Sequence, residues 1–174
     1  KFIWHLFHAR PGGGASPAGD GWHGGGERHA VGGIKCGSIE VAEARFPLYF
    51  IRHEFRPLSG GSGQYCGGAV AELEFAIETE EPALGNTAGD GTRHGSRGIA
   101  GGSDGAPNHY VIQSMTHGSR ELKTKEVGVI LSPSDVLIIH SSGGGGWGDV
   151  SKRTVQQHAA DQLSGLPPLG QPSQ

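Results

Sequence analysis

The chain has 174 residues, 33 of them glycine and 10 proline, with 34% hydrophobic residues and a net charge of -3. Interior glycine costs roughly 0.5–1 kcal/mol relative to alanine, so this composition excludes an all-helical bundle. Fourteen basic against 17 acidic residues, without a basic block, argue against nucleic-acid binding. No apolar run approaches the roughly 20 residues of a membrane span. Cys36 and Cys66 form neither a C-x-x-C pair nor a disulfide framework, and neither Asn86 nor Asn108 lies in an N-x-[ST] sequon. Both points favour a reducing cytoplasm. The chain opens on Lys1 without a signal-peptide pattern, as expected of a processed N-terminus or the C-terminal piece of something larger.

In chain order, residues 1–8 (KFIWHLFH) predict an aromatic strand or core plug. Residues 11–37 hold long glycine runs with little apolar surface to offset the entropy of ordering, which predicts that a neighbouring chain or a further N-terminal segment orders them. Residues 1–38 therefore stand apart from a β domain over 39–165, and residues 166–174 (LPPLGQPSQ) form a frayed Pro-rich tail.

From Ile39 onward the pattern reads as β. Strands are predicted over residues 48–55 (LYFIRHEF), 71–78, 110–115, 126–131 and 136–140. Ala71, Leu73, Phe75 and Ile77 alternate with Glu72, Glu74, Ala76 and Glu78, which marks a half-buried strand. Ser132, Pro133, Ser134 and Asp135 supply turn chemistry. Glycine loops are expected at 59–68, 85–105 and 143–148. One helix is predicted over 152–163, with Asp149 as N-cap, Gly165 just past its end and Val155, Ala159 and Leu163 as its apolar stripe. The fold class is mainly β (α+β): packed β-sheets, long glycine-rich loops and one C-terminal helix.

The run GGGGWGD is the most specific feature. Gly143, Gly144, Gly145 and Gly146 remove every side chain from one stretch, Trp147 can anchor it, and Asp149 can cap the C-terminal helix. It reads as a tight strand-to-helix connection or as a loop facing substrate or partner. A helix N-terminus also attracts anions, yet no lysine follows a glycine in this chain, so it carries no Walker-type ATP site of its own. The ten histidines form no H-E-x-x-H and accompany no cysteine pairs, so no metal is assigned. His29 in the first glycine loop, and Arg93 with His94 beside Asp90 in another, are the catalytic candidates. Cys66 reads as a small buried thiol.

Taken together, these segments resemble the C-terminal part of the hydantoinase B/oxoprolinase family. ARPGGGASPAGDG (9–21) is similar to a glycine-rich GARPGRDG loop, and IEVAEARFPL (39–48) to VEVLEARYPL. In FRPLSGGSGQYCGG (55–68) the residues Arg56, Pro57, Ser59, Gly60, Gly61, Gly63, Tyr65, Gly67 and Gly68 match RPDSGGAGRYRGG. RHGSRGIAGGSDGAPN (93–108) and LSPSDVLIIHSSGGGGWGDV (131–150) come in the family's order, and Arg153, Asp161 and Gly165 continue it. The chain departs from the family at Cys66, where an arginine stands, and at Val150, where a proline stands. Residues 28–38 lack the family's Thr/Asn-rich content.

The resemblance implies a small subunit or fragment of an ATP-dependent amidohydrolase acting on a cyclic amide or imide. A hydantoinase A-like ATPase partner, holding ATP and Mg, would phosphorylate the ring carbonyl. An N-terminal hydantoinase B-like chain would carry any divalent metal. The resemblance equally admits an acetone/acetophenone-type carboxylase subunit, or a non-catalytic assembly module. It implies a cytoplasmic hetero-oligomer, with the isolated chain inactive and binding no cofactor.

Overall fold

The computed structural model describes residues 2–5, 8–25 and 37–170. In chain order the elements are α1 (Ile39–Arg45), β1 (Leu48–Arg56), β2 (Val70–Ile77), β3 (Ala83–Ala88), β4 (His109–Ser114), β5 (Gly118–Glu121), β6 (Lys125–Leu131), β7 (Val136–His140) and α2 (Val155–Ser164). The mainly β class is as expected. Alternation in β2 sends Leu73, Phe75 and Ile77 into the core and Glu72 and Glu74 to the other face. Around it forms a five-stranded antiparallel sheet in the order β1-β2-β7-β4-β5. A two-stranded β3–β6 ribbon brings Val129 and Leu131 to the core that Leu73, Phe75, Ile112 and Ile139 build. In the aromatic start of the chain residues 2–5 form no strand, and Trp4 plugs onto the core, meeting Phe50 and Phe75 edge-on at 6.0 and 5.4 Å.

Several expectations are corrected. Residues 39–45 are helical, because Ser38 caps the turn by accepting from Val41 N–H and Pro47 disfavours continuation past Phe46. Part of the predicted 85–105 loop is β3, held by its ladder to β6 rather than by its own composition. The C-terminal helix begins at Val155, not 152. Thr154 and Gln157 form a reciprocal capping box there, while Asp149 caps only a single 3-10 turn at Val150–Lys152. Gly165 ends the helix at φ 70° as expected. The Val155–Ala159–Leu163 stripe is not buried: Val155 is 80% and Leu163 91% exposed. The tail is not frayed over 166–170, since Leu58 N–H donates to Pro167 O and Leu169 N–H to Gly60 O, both at 2.8 Å. No helix among the described residues is long and apolar enough to cross a membrane.

The glycine runs assemble into a bundle of extended segments with residues 142–147 at its centre. Gly143 and Gly146 N–H groups donate to Ala106 and Ser103 carbonyls at 2.9 Å. Gly144 and Trp147 N–H groups donate to Gly68 and Tyr65 carbonyls at 3.1 and 2.9 Å. Ser142 and Gly145 carbonyls accept from Gly12 and Ala15 N–H groups at 2.9 Å. Each neighbour is therefore met at every third residue, the repeat of a three-residue extended helix, not the two-residue alternation of a strand. Residues 59–62 and 96–99 are two further neighbours, through Gly61 N–H to Gly144 O (2.8 Å) and Ile99 N–H to Gly146 O (2.9 Å).

Three-residue winding points successive Cα positions at different neighbours, so backbone packs directly on backbone. A Cβ on Gly144 would lie 1.9 Å from Gly13 O, and one on Gly67 the same distance from Gly144 O. Residues 11–25 join this bundle, so they take their order from residues 65–69 and 142–145 of the same chain. This stretch therefore has partners within the chain, beside any that the expected neighbouring chain or N-terminal segment adds; residues 26–36 lie outside the described residues.

Candidate functional site

A cleft of about 1290 Å³ opens along one side of the bundle. One wall is the 11–16 loop with Trp22, the other is residues 88–90 with Ser96, Arg97 and Ile99, and Ser142, Gly145 and Gly146 line it between them. Two backbone bonds fix Trp22, whose carbonyl accepts from Gly13 N–H at 2.8 Å and Gly25 N–H at 3.2 Å. Its indole nevertheless remains 83% exposed at the rim. On the opposite wall Lys125 pairs with Asp90 at 2.9 Å, and the Asn108 side-chain amide donates to the Asp90 carbonyl. Burial, and then the Asp90 charge, push the Tyr110 phenol above its ordinary range and keep it a neutral donor. The cleft thus combines glycine-rich backbone, one indole and a polar lining that includes Asp20, Asp90 and Arg97.

The structure separates the residues singled out in the sequence. Gly143 and Gly144 are buried, with the Cβ directions of both taken by this chain's own carbonyls at Ser59 and Gly13. Gly145 and Gly146 are also buried but border the cleft. Trp147 stacks obliquely on Tyr65 with ring centroids 5.9 Å apart. Asp149 is exposed and spends its carboxylate on Ser151 N–H at 2.9 Å, which holds its pKa below the ordinary value. Arg93 and His94 are exposed in the loop between Asp90 and Ser96, beside the cleft wall rather than in it. His29 lies outside the described residues. His23 accepts from Ala69 N–H at 2.9 Å and packs on Phe55, a structural role.

Sequence reasoning did not single out Arg153 as a centre. Its side chain is 1% exposed, and all five guanidinium hydrogens are engaged. Nε and Nη2 fork onto Asp161 at 2.9 and 2.7 Å, Nη1 and Nη2 fork onto Asp20 at 2.9 and 3.1 Å, and Nη1 also reaches Gln64 O at 3.1 Å. Burial opposes the charge, yet the hydrogen bonds it donates to Asp161 and Asp20 outweigh that and hold the guanidinium firmly protonated. Asp20 Oδ1 additionally accepts from Cys66 N–H at 2.6 Å. The signal was present as three family-matching residues, but 133 positions separate Asp20 from Arg153.

Beside this network lies a cavity of about 80 Å³ bordered by Cys66, His23, Asp161 and Pro168. Burial, only partly offset by Arg153, pushes the Cys66 thiol up to about 11. It stays a neutral thiol at physiological pH, in keeping with the small buried thiol expected at this position.

On the sheet face away from the core, His140 Nε2 lies 3.2 Å from Glu72 without hydrogen-bond alignment, and His109 Nε2 lies 3.1 Å from Glu121. Among the described residues, no group of three or more His, Cys, Asp and Glu side chains is placed to hold a metal ion.

Fold and site define a mainly β domain cored by a glycine bundle and flanked by an open cleft. The chain belongs to the hydantoinase B/oxoprolinase family, whose model matches residues 3–150. It is 28% identical over 172 residues to caprolactamase subunit beta of Pseudomonas jessenii, covering 89% of this chain and 27% of that protein. It is 29% identical over 145 residues to 5-oxoprolinase 1 of Arabidopsis thaliana, covering 78% of this chain and 11% of that one. Among solved structures, the ATP-dependent caprolactamase from Pseudomonas jessenii superposes with a TM-score of 0.74 at 26% identity, over 90% of this chain and 28% of that one. Nucleotide-free acetone carboxylase superposes with a TM-score of 0.73 at 19% identity, over 93% of this chain and 25% of that one, a likeness of fold. The chain thus spans about a quarter, or less, of the relatives it matches.

Proposed function

We propose that this chain serves as the glycine-bundle portion of an ATP-dependent amidohydrolase that opens a cyclic amide. The carrying observation is the sequence likeness, across 89% of the chain, to a caprolactamase subunit, joined by likeness to a 5-oxoprolinase. Both names denote enzymes of lactam rings. A ring amide is a poor electrophile; phosphorylation of its carbonyl oxygen activates the ring carbon, water adds there, the ring C–N bond breaks as the nitrogen takes a proton, and the resulting acyl phosphate is hydrolysed to the open amino acid and phosphate. The ATP and Mg for that step belong to a hydantoinase A-like partner. A divalent metal would belong to the N-terminal part of a hydantoinase B-like subunit.

In this reading the bundle shapes the site rather than contacting the ring, because the Cβ directions of Gly145 and Gly146 are taken by the Arg97 and Ser62 carbonyls of the bundle itself. Arg93 and His94 stand beside the cleft wall, and with His29 remain the candidates for handling charge at the ring. The test is reconstitution with A-type and N-terminal B-type chains, assaying ATP-dependent opening of caprolactam and 5-oxoproline. This chain alone is expected neither to bind ATP nor to turn over either substrate. ATP consumption that requires acetone and bicarbonate instead would replace the hydrolase reading with a carboxylase one. An unchanged kcat in the Arg93→Ala, His94→Ala and His29→Ala variants would leave the chain a non-catalytic assembly module.

A further inference from the structure

The five segments around residues 142–147 form an incomplete ring. Residues 12–15 bond to 65–68 (Gly68 N–H to Gly13 O, 2.8 Å), 65–68 to 59–62 (Gly67 N–H to Gly61 O, 2.8 Å), and 59–62 to 103–106 (Ala106 N–H to Ser59 O, 2.8 Å). Residues 103–106 bond in turn to 96–99 (Gly105 N–H to Ser96 O, 2.9 Å). Between 96–99 and 12–15 the ring is open, and that opening is the cleft.

Direction alternates around the ring. The segments that donate to the central carbonyls, 12–15, 59–62 and 96–99, run parallel to the centre, whereas those that accept from its amides, 65–68 and 103–106, run antiparallel. Three-residue winding gives the central segment three amide directions. Two are filled, by the pairs Gly143/Gly146 and Gly144/Trp147. The third belongs to Ser142 and Gly145, also three apart. Both line the cleft, and among the described residues neither amide has a hydrogen-bond partner.

We infer that the cleft is the sixth place of the bundle, and that an extended, glycine-rich polypeptide segment docks there antiparallel to 142–147, its carbonyls accepting from Ser142 and Gly145 at a three-residue spacing. On the wall, Gly14 leaves room for backbone-to-backbone approach, with nothing within 4 Å of a Cβ there, whereas the Cβ directions of Gly12 and Gly13 are taken by Gly68 and Trp22 backbone. This chain spans only 27% of its caprolactamase relative, so a subunit of that size has ample further polypeptide to supply the segment. The inference does not depend on which reaction the assembly performs.

The probe is acetyl-(Gly-Pro-Gly)3-amide, preset to three residues per turn, added at millimolar concentration to the whole chain and followed by amide hydrogen exchange in NMR spectra. Exchange at Ser142 and Gly145 is expected to slow by about tenfold or more, with Gly143 unchanged. A strand-forming Thr-Val repeat peptide should protect neither. Gly14→Leu places a side chain in open space at the cleft, where a Cβ meets nothing within 4 Å, and should abolish protection without lowering Tm; Ser16→Trp serves if Gly14→Leu folds poorly. Unchanged exchange at both amides, equal protection by the Thr-Val peptide, or protection by caprolactam alone would overturn the docking. Failure here leaves the ring-opening assay untouched.

Discussion

Arg153 and Asp20 meet in a two-pronged pair at 2.9 and 3.1 Å across 133 positions of sequence, fastening the first glycine loop to the segment that precedes α2. The pair is half of a buried network whose other half is Asp161. Removing the arginine takes its guanidinium from two carboxylates at once; removing Asp20 leaves Arg153 with Asp161 and the Gln64 carbonyl. Arg153→Ala is expected to cost about 3–5 kcal/mol and Asp20→Ala less, because Asp20 is 45% exposed and water can replace part of its role. Urea unfolding of both variants and the double variant checks this. Additive effects would show that the two residues do not act together.

Gly144→Ala should be among the most damaging single-methyl changes in the chain, since the new Cβ would sit 1.9 Å from Gly13 O with backbone on either side. A loss of about 3 kcal/mol or failure to fold is expected, at or beyond the upper end of ordinary overpacking. Gly14→Ala, with nothing within 4 Å, should stay within about 0.5 kcal/mol of the parent. Thermal melts of the two variants side by side would expose any error, which equal Tm values would demonstrate.

Cys66 should resist alkylation. Burial raises its thiol from 9.0 to about 11, so iodoacetamide at neutral pH should label it more slowly than in urea, as read on the Cys66 peptide by mass spectrometry. The same shift sets a pH dependence. Below pH 9 both folded and unfolded thiols are protonated and the contribution is fully present; between 9 and 11 the unfolded chain releases its proton first, so stability falls as pH rises. Cys66→Ala should flatten that part of the profile.

His8 is 4% exposed, and among the described residues neither ring nitrogen has an aligned hydrogen-bond partner, the nearby Gly37 backbone opposing the shift only in part. Burial, then the neighbouring His53, lowers its pKa below 6.5. The unfolded chain therefore takes up a proton at His8 before the folded one does, and stability declines as pH falls below 6.5. His140, lowered by burial and Arg56 against the opposing Glu72, acts in the same direction. His8→Gln should shrink the acid-side loss in a pH series of urea melts. An unchanged slope would mean that His8 is protonated in the folded state.

The strands that alternate apolar and polar residues could be read from the sequence. β2 and β7 fall where their pattern places them because one face of each meets the core. β5 (GSRE) carries no apolar residue and exists only through its pairing with β4. β3 (ALGNTA) holds a Gly and an Asn around a register shift that β6 accommodates. The bundle left still less trace. Its segments bury backbone rather than side chains, so the hydrophobic periodicity that marks strands and helices is absent, and glycine abundance was the sole signal. Arg153 illustrates the same gap for the polar network: residue types can be read locally, but the partner 133 positions away is fixed by the fold.

A three-residue repeat also governs how these loops can change length. Inserting one residue before Gly144 would turn everything downstream by about 120°, carrying the Trp147 amide away from Tyr65 O and toward a different segment. Two inserted residues would turn it the other way. Three would return every donor to its own neighbouring segment, one turn (about 9 Å) further along it. Insertions and deletions inside these segments are therefore tolerable only in multiples of three, a reading frame written in hydrogen bonds.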